Sequence, residues 1–262
     1  MEYREIIKTY SPYVYLHPKD KYRPSTVPET LKKLEIWHPD VKGPLLGVGE
    51  ITPENLLGLN INGEKSVCYD FNSPSLSRFY FKLPSNKPNP LDLSTPMYSF
   101  ITTNNSDYID ITYVFFYQYN GSTACNGLLP FGIHTLDWER CVMRLVKLPE
   151  NNYKLEEVYY AQHAAGKWYK VDEIEYYGSH PVVYSGWHSH ASYIKSGAKI
   201  RICCCGNDYC KGDDDFLWKG EPELICNENV PSWNYFTGNS WKKGGVKFPM
   251  WRKDWMHTFD QN

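Results

Sequence analysis

The sequence predicts a mainly β protein: one antiparallel, jelly-roll-like β-sandwich domain over residues 1–262, with long loops and few short helices. Three observations lead there. Aromatic residues make up 16% of the chain, with 22 Tyr, 9 Trp and 11 Phe, and such side chains fit the pleated, half-buried surface of a sheet. Eighteen Gly and 18 Pro punctuate the chain at the short spacing of strand and turn. Helical periodicity is scarce, while 262 residues at 42% hydrophobic can bury a substantial core, which excludes disorder, a fibre and a small disulfide scaffold.

In chain order, strands are expected at residues 13–17, 78–83, 97–103, 108–119, 138–148, 155–163, 182–190 and 199–204, each rich in β-branched and aromatic residues. A helix is expected at residues 27–36, where Pro28 stands near the start and Leu31, Leu34 and Ile36 form a short apolar stripe. The Pro-rich residues 83–96 read as a surface loop and not as a domain boundary, because strands resume directly after them. The sequence shows no internal repeat.

With 28 Lys+Arg against 30 Asp+Glu, the formal net charge of −2 gives no overall field to draw nucleic acid or an anionic membrane. No window approaches the roughly 20 consecutive apolar residues of a membrane span, and the first residues lack the basic-then-apolar layout of a signal peptide. A soluble chain is expected, with the secretory route left open. Five of the eight cysteines are Cys203, Cys204, Cys205, Cys210 and Cys226. Three in a row lack the paired knuckles of a zinc site, and alternate residues of a strand face opposite ways, so local disulfides or inert thiols are favoured over zinc.

The chemistry concentrates where the two-residue period of a strand becomes informative. Alternation puts Asp137, Glu139, Cys141, Met143 and Leu145 on one face and Trp138, Arg140, Val142 and Arg144 on the other. The arginine face is the one expected to meet solvent, which directs the carboxylates inward, where they need pairing, hydrogen bonds or a cation. The alternative is a plain ion pair between these carboxylates and Arg140 or Arg144 of a neighbouring strand. His134 lies three residues before Asp137, and nitrogen and oxygen donors at one strand end suit a divalent metal or an acid/base group oriented by a carboxylate. His163 and His190 end the next two expected strands. A single pocket of His134, Asp137, Glu139, His163 and His190, walled by Tyr and Trp, is therefore expected. His188 and His180 are weaker candidates, and His17, His38 and His257 are expected in surface roles.

Gly132-Ile133-His134-Thr135-Leu136-Asp137-Trp138-Glu139, then Gln162-His163-Ala164-Ala165-Gly166-Lys167-Trp168, then Ser189-His190-Ala191-Ser192-Tyr193 resemble the vacuolar protein sorting-associated protein 62 family. Residues 10–18 (YSPYVYLHP) and 111–120 (ITYVFFYQYN) resemble it too, in the same order. Leu136 stands where that family tends to have glycine, and Arg140 where it tends to have histidine. A more distant resemblance is to the necrosis- and ethylene-inducing peptide-like proteins, secreted β-sandwich cytolysins with a His three residues before an Asp-Trp-Glu. That resemblance implies His134, Asp137 and Glu139 as ligands of a divalent cation used to engage sphingolipid sugar headgroups.

Two functions fit these residues. The first is an enzyme of hydrolase or lyase/cyclase type acting on a small organic, lipid-like or glycosyl molecule. Glu139 or His163 would be the base, Asp137 the orienting group or ligand, His134 a ligand and His190 a proton donor. The second is a cation-dependent binding protein for polar lipid or sugar headgroups at a membrane surface, with aromatic stacking. Mg or Ca suits the oxygen-rich set better than Zn, and no organic cofactor is implied. Asp213–Asp215 could hold calcium but reads more simply as a solvated run. Asn120-Gly121-Ser122 and Asn104-Asn105-Ser106 fit the glycosylation sequon. No Gly-rich phosphate loop or Gly-x-Ser-x-Gly occurs, which disfavours an acyl-transfer hydrolase.

Overall fold

The structure is a computed structural model. It describes residues 3–38, 40–52, 55–58, 60–61, 64–65, 80–84, 88–103, 107–122, 132–163, 165–200, 206–226, 229–231 and 233. Its frame is a six-stranded sheet whose neighbours run Ala165–Lys170, Asn152–Gln162, His134–Leu148, Tyr108–Asn120, Met97–Thr102 and Pro222–Leu224. All pairings are antiparallel except the last. A second sheet faces it. There His180–Ser185 pairs with Tyr176–Tyr177 and Ser192–Tyr193 and runs parallel to Tyr13–Tyr15, which in turn meets Leu217–Trp218. The β-sandwich reading of the sequence holds.

The two long central strands carry large apolar side chains on both faces, and two cores follow. Tyr113, Phe115, Tyr117, Cys141, Met143 and Leu145 point between the sheets and meet Val14, Val183 and Trp218. The opposite face is not solvent in its upper half. Leu136, Trp138, Val114 and Phe116 lie there under a second cluster built from Val27, Leu31, Leu34, Ile36 and Phe81. The expected solvent face of Trp138 is thus corrected: exposure on that face begins only further along, at Arg140, Arg144, Val146 and Leu148. Arg144 is held over Trp168 and bonds Asp110 through two nitrogens at 2.9 Å each.

Some expected elements are shorter. The helix covers only Val27–Leu31, with Thr26 capping it by accepting from Glu29 N, and Glu35–Trp37 is a strand paired with Tyr80–Lys82. A helix at Tyr3–Thr9 had no clear sequence signal. The strand expected at 182–190 ends at Ser185. Along Asn152–Gln162 a register shift sets Arg144 opposite Glu157 and Leu145 opposite Leu155. Leu155, Val158 and Tyr160 therefore face the core, and strict alternation from Leu155 through Tyr159 fails at the bulge. Residues 201–205, with Cys203, Cys204 and Cys205, lie outside the described part, as do Asn104–Ser106 and His257. Cys141, Cys210 and Cys226 are free thiols.

Candidate functional site

The inward turn of Asp137 follows from the alternation on its strand: Tyr117 opposes Asp137 and Phe115 opposes Glu139 across the ladder. Asp137 is 4% and Glu139 8% exposed. Just before them the strand is irregular. Leu136 takes a left-handed φ of 59°, the conformation that glycine adopts at no steric cost. The resulting turn of the backbone lets His134 Nδ1 donate to the Leu136 carbonyl at 2.7 Å. Nε2 of His134 then lies 3.8 Å from Asp137 Oδ1.

His190 reaches Asp137 by a route the sequence argument did not foresee. After Ser185 the chain turns, with His190 N bonded to Gly186 O at 2.8 Å and His188 and His190 both left-handed, at φ 68° and 55°. This loop, not a strand face, carries His190 inward. There Nδ1 meets Asp137 Oδ2 at 2.8 Å, Nε2 lies 3.4 Å from Asp20 Oδ2, and the ring stacks on Tyr117 at 3.8 Å between centroids. Burial alone would lower the pKa of this 1% exposed ring. The Asp20 charge and the Asp137 hydrogen bond overcome it and raise the value to about 10, so His190 is an imidazolium at neutral pH. Asp20 is held below its usual range by His190, against its own burial, and by the N–H groups of Tyr22 and His188.

His163 sits apart from this triad. It lies in the turn after the Asn152–Gln162 strand, with φ 57°, and Nε2 contacts Asp208 Oδ2 at 2.7 Å. Asp208 is fully buried, and Tyr193 OH donates to it as well. Burial would raise the Asp208 pKa, but His163 and Tyr193 hold it down. The imidazole is about a quarter exposed, with a side-chain value of 27%. The five expected residues thus divide into His134, Asp137, Glu139 and His190 on one side and the His163–Asp208 dyad on the other. Gly186 joins the two, since a Cβ there would lie 2.7 Å from Ser189 Oγ and 3.3 Å from Asp208 Cβ.

Sequence reasoning missed Asp20, although His17 precedes it by the same three residues that separate His134 from Asp137, and Asp208, which has no histidine near it in the chain. It also placed His17 and His38 at the surface. His38 is only 3% exposed and corrects that expectation, whereas His17 is partly exposed and stacks on Trp187 at 5.1 Å. Asn120, of the first sequon, is 6% exposed and its amide donates to Gly121 O and Gly132 O, so its nitrogen is engaged inside the fold. Among the described residues no three His, Cys, Asp or Glu side chains form a ready-made metal centre, and no helix is long and apolar enough to cross a membrane.

Residues 94–209 match the family model for vacuolar protein sorting-associated protein 62. A Saccharomyces cerevisiae protein provisionally named vacuolar protein sorting-associated protein TDA6 is 22% identical over 223 residues, covering 71% of this chain and 45% of the relative. The chain thus spans less than half the length of that curated relative. Among solved structures, the non-toxic HaNLP3 protein is similar with a TM-score of 0.44 and 13% identity, over 92% of this chain and 82% of that one. NLPPya in complex with glucosamine is similar with a TM-score of 0.48 and 13% identity, over 98% and 90%. The segment that carries His134, Asp137, Glu139, His163 and His190 is thereby the part of this chain that matches the vacuolar protein sorting-associated protein 62 family.

Proposed function

We propose that the carboxylate–histidine end of the sandwich binds a divalent cation and, through it, the hydroxyl groups of a sugar or polar lipid headgroup. One observation carries this reading. Because His134 Nδ1 is committed to a carbonyl, its neutral form turns the Nε2 lone pair toward Asp137 Oδ1, 3.8 Å away. Two electron-pair donors in that position are reconciled by a proton on Nε2 or by a cation between them, and ligand atoms each about 2.0–2.6 Å from Mg or Ca span such a gap. Glu139, two residues on along the same face, supplies the further oxygen in this proposal. The oxygen-rich set favours Mg or Ca over Zn. His190 is a positioning group here, because its two ring N–H groups each face a carboxylate and the ring is buried.

The test is binding to immobilised glycans and to phosphatidylcholine vesicles carrying a glycosylceramide, with Ca²⁺ or Mg²⁺ and then with EDTA. Binding that needs the cation and disappears in Glu139→Gln supports the proposal. Binding indifferent to EDTA, or no binding to either surface, removes it.

A second reading rests on the His163–Asp208 pair. A buried carboxylate on Nε2 orients an imidazole that is about a quarter exposed, an arrangement that suits an acid/base histidine. In that case the protein is an enzyme on a small glycosyl or lipid-like molecule, with His163 or Glu139 as base and Asp137 holding the site in place. Turnover of a glycoside or phosphodiester panel that vanishes in His163→Gln, and that added metal does not restore, favours the enzyme.

A further inference from the structure

Between the 17–19 turn and the loop that carries Trp187 lies a cleft that neither reading uses. It has a volume of about 460 Å³ and is lined by His17, Pro18, Lys19, Trp187, Tyr209 and Lys211, within the range of about 300–1,000 Å³ usual for small-molecule sites. Its shape is fixed from behind. The Arg23 guanidinium donates to the carbonyls of His17 and Pro18 at 2.9 and 2.8 Å, and Trp187 N donates to Tyr209 O at 2.8 Å. His17 and Trp187 stack with 13° between their planes, and His188 stacks behind Trp187 at 4.6 Å. The aromatic wall is therefore held in place before any ligand arrives.

The polar groups on this wall are donors. The backbone N–H of Lys19 donates to His17 Nδ1 at 3.2 Å, which leaves the ring proton on Nε2. Trp187 is buried at Nε1, so the indole offers the cleft its ring surface and not its N–H. Two lysines flank the cleft, and Lys211 reaches Asp213 only at 3.5 Å across the rim. No carboxylate is among the lining residues. A flat aromatic wall suits the face of a pyranose or cyclitol ring, and two ammonium groups suit a doubly charged anion.

We propose that this cleft binds a phosphorylated polyol ring, with the ring against His17 and Trp187 and the phosphate between Lys19 and Lys211. The proposal is independent of the cation reading, and its test is made in EDTA so that the two fail separately. Calorimetric titration uses glucose 6-phosphate, glucose and inorganic phosphate against the whole chain. A second arm uses phosphatidylcholine vesicles with and without phosphatidylinositol 4-phosphate. The expected result is that glucose 6-phosphate binds at least roughly tenfold more tightly than glucose or phosphate alone, and that Lys19→Gln/Lys211→Gln removes this gain. Both lysines are exposed, so the double variant should fold as the parent does. Capture by the phosphoinositide vesicles without binding of the free sugar phosphate assigns the same chemistry to a lipid headgroup. Equal binding of glucose and glucose 6-phosphate, unchanged affinity in the double variant, or binding of neither sugar phosphate nor vesicle overturns the proposal.

Discussion

A histidine that is 1% exposed and sits between two carboxylates contributes to stability in a pH-dependent way. The folded pKa of His190 lies near 10, above its ordinary 6.5. Its contribution is therefore complete below about 6.5 and is lost as pH rises toward 10. Asp20 acts in the opposite sense: its folded value is held below 3.8, so its contribution is present above that pH and lost in acid. In metal-free buffer, the stability difference between wild type and His190→Gln should be largest near pH 5–6 and should shrink toward pH 10. Near its maximum it should reach about 3–5 kcal/mol, because two buried carboxylates lose their shared cation. Denaturant midpoints across this range check it, and a difference that grows with pH would show that the ring is neutral. His134, Asp137, Glu139 and the inward face were legible from a period of two and the spacing in the motif. Asp20 was not, because the partner it finds is 170 residues away; the one local signal, His17 three residues before it, does not point to that partner.

Loops do most of the assembly. Residues 186–190 carry the left-handed His188 and His190, and they are fastened to the 17–20 turn by His188 N on Asp20 and by the His17–Trp187 stack. Gly186 is confined between Ser189 and Asp208, so Gly186→Ala should cost about 1–3 kcal/mol by overpacking. It should also shift the His163 imidazole resonances in NMR through displacement of Asp208. Unchanged spectra and stability would mean that the loop relaxes freely. Gly121 supplies a parallel case: a Cβ there would approach His188 Nδ1 to 2.5 Å, so Gly121→Ala should disturb the same loop from its other side. Strands such as Tyr108–Asn120 were legible because their composition is consistent over many residues. The end of the strand at Ser185 was not, since alternation continues on paper past the point where Gly186 and the left-handed histidines turn the chain. The bulge near Leu155 was equally silent, for a shift of one residue leaves no mark in composition.

For the molecule as a whole, the two sheets form a rigid frame around one aromatic core, and a second core covers the far side of the larger sheet. That second layer explains why an outward Trp138 is buried, and it was missed because a strand pattern alone does not tell a solvated face from a face covered by a helix and loop. The frame brings together the Asp20–His190–Asp137 cluster and a cleft lined by His17, Lys19 and Trp187, whose loops carry Asp20 and His190 as well. The account stands or falls on whether His134, Asp137 and Glu139 hold a cation. After dialysis against EDTA, calorimetric titration of the whole chain with Ca²⁺ and with Mg²⁺ tests this most directly. Saturable binding of one ion per chain, weakened at least roughly tenfold by Glu139→Gln and by Asp137→Asn, is the expected result. No binding of either ion, or binding that both variants retain unchanged, would contradict it.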